Sequence, residues 1–177
     1  MRSMALSALM TAALCILAPL SIPIGPVPIT LSVLIVCLFP YLVGVRLSAV
    51  AVLLYLFIGA IGLPVFSGFE GGLQKLIGPT GGYLLGYIPL VIVGGAFIKG
   101  NKKPLWQFLG LLLGLICCYA LGTVWLCLCL KLELSSALSI AVMPFLPFDA
   151  VKLALAVIIG RAAGKRLNFL KLNGRST

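Results

Sequence analysis

The sequence predicts an all-α integral membrane protein with six transmembrane helices, N-in and C-in, and a ligand pocket roofed by the extracytoplasmic loops. Three observations carry that expectation. Hydrophobic residues make up 62% of the 177 positions and charged residues 9%, against roughly 45–50% and 25% in an ordinary soluble domain. The apolar residues gather into six stretches near spanning length. The formal charge of +10 falls on one side of the zigzag that those stretches define. A soluble fold of this size has no interior large enough for so much apolar surface, and wide apolar patches are rare on soluble monomers.

The whole chain, 1–177, reads as one membrane domain with helices at about 4–20, 28–45, 47–63, 81–98, 104–130 and 147–164. Crossing a bilayer takes roughly 17–25 mainly apolar residues. The first stretch, "MRSMALSALMTAALCILAPL", starts basic and runs apolar, as a secretory leader does. It has no clean A-x-A site, and removing it would spoil the charge asymmetry, so it reads as a helix. The second and third are short and separated mainly by Arg46. "GPTGG" makes a tight turn into the fourth, and the fifth is continuous. Pro144 and Pro147 interrupt the sixth. Proline is well placed in a helix's first turn, so this helix begins near Pro147.

One side of the zigzag receives Arg2, Arg46, Lys99, Lys102, Lys103, Arg161, Lys165, Arg166, Lys171 and Arg175, with no acid. The other receives Glu70, Lys75, Lys131 and Glu133, which cancel. The positive-inside rule then sets both termini in the cytoplasm of a multi-pass plasma-membrane protein. The basic face serves orientation and contact with anionic lipid headgroups. Nucleic acid is excluded as a partner, because no recognition motif accompanies the charge.

Cys15, Cys37, Cys117, Cys118, Cys127 and Cys129 all lie in apolar spans, and the chain has no histidine. No metal spacing is present, and buried cysteine behaves as a small hydrophobe. With three carboxylates in all, acid–base or nucleophilic catalysis has almost nothing to draw on. "GRAAGKR" at 160–166 misses the nucleotide-binding P-loop by one residue and a hydroxyl. The chain is therefore a binder or conduit, not an enzyme, and needs no cofactor.

Proline and glycine crowd the outward connections, and irregular backbone at membrane depth must fold onto protein or line a cavity. At the head of the sixth helix, Asp149 and Lys152 share a face. An ionisable residue inside a membrane is a functional candidate by default. A carboxylate takes N–H donors and an ammonium takes an acid, which suits a small molecule with an amide- or urea-like end and a carboxylate end. Thr80 and Tyr83 bring hydroxyls to the same outer region. Phe66, Phe69, Tyr83, Tyr87, Phe145, Phe148 and Trp125 are candidate apolar walls. Ala8 and Ala12, like Gly110 and Gly114, form small-xxx-small pairs that permit close helix approach.

"GPVPITLS", "LYLFIGAIGLPVF", "GGLQKLIGPTGGYLLGY" and "PFLPFDAVK" resemble the BioY family, the biotin-specific substrate-capture (S) component of energy-coupling factor transporters. The resemblance runs from the first helix to the sixth. It implies a biotin ligand, a transmembrane coupling protein and ATP-binding-cassette ATPases as partners, and a coupling-protein contact at Ala8 and Ala12. It implies that biotin's ureido group meets Asp149 and its carboxylate meets Lys152, with Lys75 as a rival cation. Ser32 stands where the family pattern has glutamine, Phe148 where glycine is commoner, and Glu70, Gln74 and Lys75 make the third loop more polar. The competing expectations are capture of another vitamin, or a membrane assembly subunit without a ligand.

The charge asymmetry generates a first prediction. A C-terminal reporter active only in the cytoplasm should give full signal, and one active only after export should stay silent; the opposite result would invert the topology.

Overall fold

The structure is a computed structural model that describes residues 2–22, 27–101 and 103–173. Lys102, Arg175 and the loop positions 23–26 lie outside the described residues, as do the side chains of Arg2 and Lys171. The elements run α1 (Arg2–Leu17), β1 (Ser21–Ile22), β2 (Ile29–Thr30), α2 (Ser32–Val43), α3 (Val45–Ala60), α4 (Leu73–Ile77), α5 (Gly81–Leu85), α6 (Tyr87–Gly100), α7 (Pro104–Leu130), α8 (Leu134–Ala141) and α9 (Leu146–Asn173). The molecule is mostly helical, and α2 lies at its centre, touching α1, α3, α6 and α9.

The helices are apolar on both their inner and outer faces. Leu14, Phe39, Tyr55, Leu90, Leu111 and Leu153 are fully buried, while Leu128, Ile158 and Phe57 are more than half exposed. Such a surface is stable in lipid and not in water. The protein is membrane-embedded. Among the described residues, Gly81–Gly100 (α5 with α6) and α7 are each long and apolar enough to cross a membrane, and α8 with the 146–166 part of α9 forms a pair bent by 55° that is long and apolar enough for a third if the two act as one span. The apolar parts of α1, α2 and α3, 4–17, 32–43 and 45–60, are shorter helices.

Three local features differ from the sequence reading. A small antiparallel hairpin pairs Ser21 with Thr30 and Ile22 with Ile29, so strand occupies part of the stretch expected to be helical from residue 28. Pro28, just ahead of β2, has no N–H to give a helical turn, whereas Pro40 is accommodated inside α2. The break between α2 and α3 comes at Gly44, not at Arg46. Gly44 has φ +79°, a conformation without steric penalty only for a residue lacking Cβ, and its carbonyl accepts bonds from the Ser48 amide and hydroxyl. The region after α7, expected as an outer loop, contains α8, whose Ala137 and Ala141 are buried.

Glycines bring α5 and α6 against α7. A Cβ at Gly110 would lie 2.1 Å from the Phe97 side chain, and one at Gly114 would lie 2.9 Å from the Leu90 carbonyl oxygen. The Gly110–Gly114 pair therefore serves internal packing. Ala8 and Ala12, in contrast, are both exposed on α1. The segment after α3 folds back on it: Gly72 N–H donates to the Gly59 carbonyl (2.7 Å), Phe66 N–H to Glu70 (2.9 Å) and Gly68 N–H to Pro19 (3.0 Å).

Gly110→Val should lower stability by about 1–3 kcal/mol through overpacking against Phe97, measured as a fall in Tm in detergent. An unchanged Tm would mean that α6 and α7 can separate freely at this point.

Candidate functional site

Pro144 and Pro147 stop α8 from running straight into α9, and α9 starts at Leu146 with Asp149 in its first turn. There the unpaired amides and aligned peptide dipoles favour an anion, and the Asp149 amide bonds the Phe145 carbonyl at 2.8 Å. One turn on, Lys152 Nζ donates to Asp149 Oδ1 at 2.7 Å, with side-chain exposures of only 11% and 4%. The other carboxylate oxygen accepts a hydrogen bond from the Tyr119 hydroxyl of α7 at 2.5 Å. Asp149 therefore has both oxygens engaged. The ammonium keeps N–H donors beyond the one given to Asp149.

These groups face a cavity of about 50 Å³. Its polar wall is Thr30, Tyr83, Tyr87, Tyr119, Asp149 and Lys152; its apolar wall includes Val27, Pro28, Val33, Leu115, Ala141 and Phe145, with the Cys118 thiol beside them. The lining comes from the β1–β2 loop, β2, α2, α5, α6, α7, α8, the turn after α8 and α9. Tyr83 is held by a hydroxyl contact with Thr123 at 3.2 Å and sits over Gly122, where a Cβ would come within 2.2 Å of its ring. Tyr87 is buried at the start of α6, and Thr30 Oγ1 accepts a hydrogen bond from the Ser32 amide at 3.3 Å. The cavity offers a neutral ion pair, phenolic and aliphatic hydroxyls and an apolar floor, which is binding chemistry for a small amphiphile.

Of the residues singled out from sequence, Asp149, Lys152, Tyr83, Tyr87 and Phe145 come together here, whereas Ser32 is buried at the start of α2 and is not part of the lining. Thr80 is buried at the head of α5, and its hydroxyl has no hydrogen-bond partner. Phe66 is elsewhere: it is fully buried edge-on to Tyr55, with ring centroids 5.5 Å apart, over Gly59, where a Cβ would strike its ring at 2.0 Å. Lys75 pairs with Glu70 at 2.7 Å, away from the cavity lining. Phe69 and Phe148 are exposed, and Trp125 donates its indole N–H to the Gly78 carbonyl at 3.0 Å. Tyr119, Thr30 and Cys118 were not anticipated. The one available signal for Tyr119 is that it is the single tyrosine of the mainly apolar 104–130 stretch.

The BioY family model matches residues 1–169. The chain belongs to the BioY family. It is 40% identical over 159 residues to the biotin transporter BioY of Thermotoga maritima, covering 90% of this chain and 94% of that one. It is 35% identical over 167 residues to biotin transporter BioY2 of Lactococcus lactis, covering 94% and 92%. The crystal structure of the S-component for biotin from an ECF-type ABC transporter matches with a TM-score of 0.86 and 32% identity, covering 93% of this chain and 91% of that one.

The ion pair can be tested as a unit. Lys152→Met alone leaves a buried carboxylate uncompensated and should destabilise the protein by about 3–5 kcal/mol, whereas Asp149→Leu with Lys152→Met should recover most of that loss. Equal instability of the single and double variants would show that the two charges are not coupled.

Proposed function

We propose that this BioY protein captures biotin at the outer face of the plasma membrane and passes it inward as the substrate-binding component of an energy-coupled transporter. As a member of a transporter family it is a carrier component and not an enzyme. The observation that carries the reading is the neutral Asp149–Lys152 pair, buried in a small polar cavity, in a chain whose relatives are named biotin transporters.

A ureido ring presents an N–H beside a C=O. Asp149 and Lys152 present an acceptor beside a donor, 2.7 Å apart, so the pair can read that edge with two hydrogen bonds while remaining neutral. The contact between the two residues also bears on the ligand's other end. Biotin's carboxylate sits at the far end of a pentanoate chain and cannot share a point with the ureido group, so we set it away from Lys152 and take Lys75 as its candidate partner. Tyr83, with Thr80 at the head of α5, would flank the bicyclic head; Ser32 acts from behind the lining at the start of α2, and Phe66 through the packing of the segment behind it. About 50 Å³ of open space is far below the roughly 300–1,000 Å³ of small-molecule sites, so the walls must part on binding.

The cavity lies between the start of α2, the start of α6 and the start of α9, whereas Lys99 lies near the end of α6, Arg161 and Lys165 lie further along α9, and Lys103 precedes α7. With positive charge inside, that arrangement supports six spans, cytoplasmic termini and a pocket facing outward under the loops. Ala8 and Ala12, exposed on α1, are the candidate docking face for a transmembrane coupling protein, itself engaged with ABC-type ATPases.

Calorimetric titration of the detergent-purified protein should show one saturable biotin site. Asp149→Asn and Lys152→Ala, checked for folding, should each weaken it by about ten- to hundredfold, the worth of a hydrogen bond to a charged group, and Lys75→Ala by less. Binding of a different vitamin with the same dependence on both residues would change the ligand. Absence of binding across a vitamin panel would leave a ligand-free assembly subunit.

A further inference from the structure

Tyr119 ties α7 to α9 through its hydroxyl, which donates to Asp149 Oδ2 at 2.5 Å. The bond to the other oxygen comes from Lys152, on the same helix as the acid, at 2.7 Å. The difference matters because the end torsion of an aspartate is broad. A partner on α9 moves with α9 and holds one oxygen only. A second donor reaching in from α7 holds the other oxygen, and the plane of the carboxylate is then fixed. Bonds of this kind, with one partner ionised, are the strong ones.

The packing of α7 holds that phenol still. Leu115, Tyr119 and Thr123 follow one another at four-residue spacing, which sets them on one helix face. Leu115 and Tyr119 line the cavity, and Thr123 meets the Tyr83 hydroxyl at 3.2 Å. The Tyr119 ring packs against both apolar clusters, the main core and the smaller one that holds Leu126, Ala137 and Ala141. A phenol has one proton to donate, and Asp149 takes it, so this donor reaches a ligand only through the acid. Each carboxylate oxygen can accept a further bond. With Tyr119 on one oxygen and Lys152 on the other, the remaining lone pairs keep set directions beside the cavity that Asp149 lines. We propose that Tyr119 is the positioning residue of this site: by fixing the Asp149 carboxylate it makes the pair select a ligand edge that carries an N–H donor over one that carries oxygen there. Resting on the biotin reading of the pocket, this assigns its selectivity to a residue of α7 outside the ion pair.

The test is competitive binding, to the detergent-purified full chain, of biotin and its two cyclic-carbamate analogues, in each of which a ring oxygen replaces one ureido N–H. The native protein should prefer biotin to at least one analogue by about ten- to hundredfold, the worth of a hydrogen bond to a charged group. Tyr119→Phe, which keeps the ring, should weaken biotin about tenfold and that analogue by less than about twofold, so that the preference collapses. 3-Fluorotyrosine at position 119 keeps ring and hydroxyl and should keep the preference; its loss there would overturn the proposal even if the phenylalanine variant does not fold. Equal weakening of biotin and analogue would leave Tyr119 a structural role alone, and unchanged binding would remove it from the site. Either result, or a native protein that binds biotin and both analogues alike, overturns the proposal while biotin stands as the ligand. A native protein that binds no biotin would overturn the ligand reading and this proposal with it.

Discussion

A carboxylate and an ammonium almost withdrawn from solvent, 2.7 Å apart on one turn of helix, constrain everything around them. Each charge alone at membrane depth costs about 2.5–3.5 kcal/mol on insertion scales. Together they are neutral, and the start of α9 lends its dipole to the acid. One lone-pair set on Asp149 still needs a donor, and Tyr119 supplies it from α7. The pair therefore fixes where α9 begins, how it is turned, and which face of α7 it meets. The cavity is the space left where those requirements, and the hydroxyls of Tyr83 and Tyr87, cannot all be met by tight packing.

This explains which parts of the site were legible. Asp149 and Lys152 are three residues apart, and helical spacing puts them on one face without further information. Tyr119 lies thirty positions from its partner, and nothing in a single sequence separates a phenol that bonds an acid from one that packs. Phe66 illustrates the converse. It stands in a glycine-rich outer loop and reads as a pocket wall, yet Gly59 leaves a slot in α3 that fits its ring. Lys75 reads as a free cation until Glu70, five residues earlier in a turn, is seen to meet it. The helix boundary at Gly44 was hidden by the nearby charge of Arg46, because charge marks a boundary only coarsely whereas positive φ marks it at a residue.

Small-residue pairs show the same limit from the other side. Gly110–Gly114 and Ala8–Ala12 share one spacing, and that spacing reports only that a close approach is permitted. The outcome depends on what stands opposite. Phe97 and Leu90 fill the first, while the second faces outward from α1. The broad fold class was legible because hydropathy and charge are summed over many residues. The packing partners were not, because each depends on one contact far away in sequence.

The lengths of the helices connect the fold to the proposed capture. The apolar stretch of α2 is 12 residues long, about 18 Å at 1.5 Å per residue, well short of a hydrocarbon core of about 30 Å. Under the proposed topology the remaining depth would fall to irregular chain, the β1–β2 hairpin and the segment between α3 and α5. Backbone at such depth must be satisfied by protein, and among the described residues the hairpin pairs and the amide bonds of Phe66, Gly68 and Gly72 do part of this. These are few and local, so they can exchange partners without melting a helix. If the cavity takes the proposed ligand, it would widen on the side of Val27 and Pro28, where short elements form the wall. On the proposed reading, the opposite wall, where Tyr119 of α7 meets the ion pair of α9, would hold the polar contact points in place while the covering side moves.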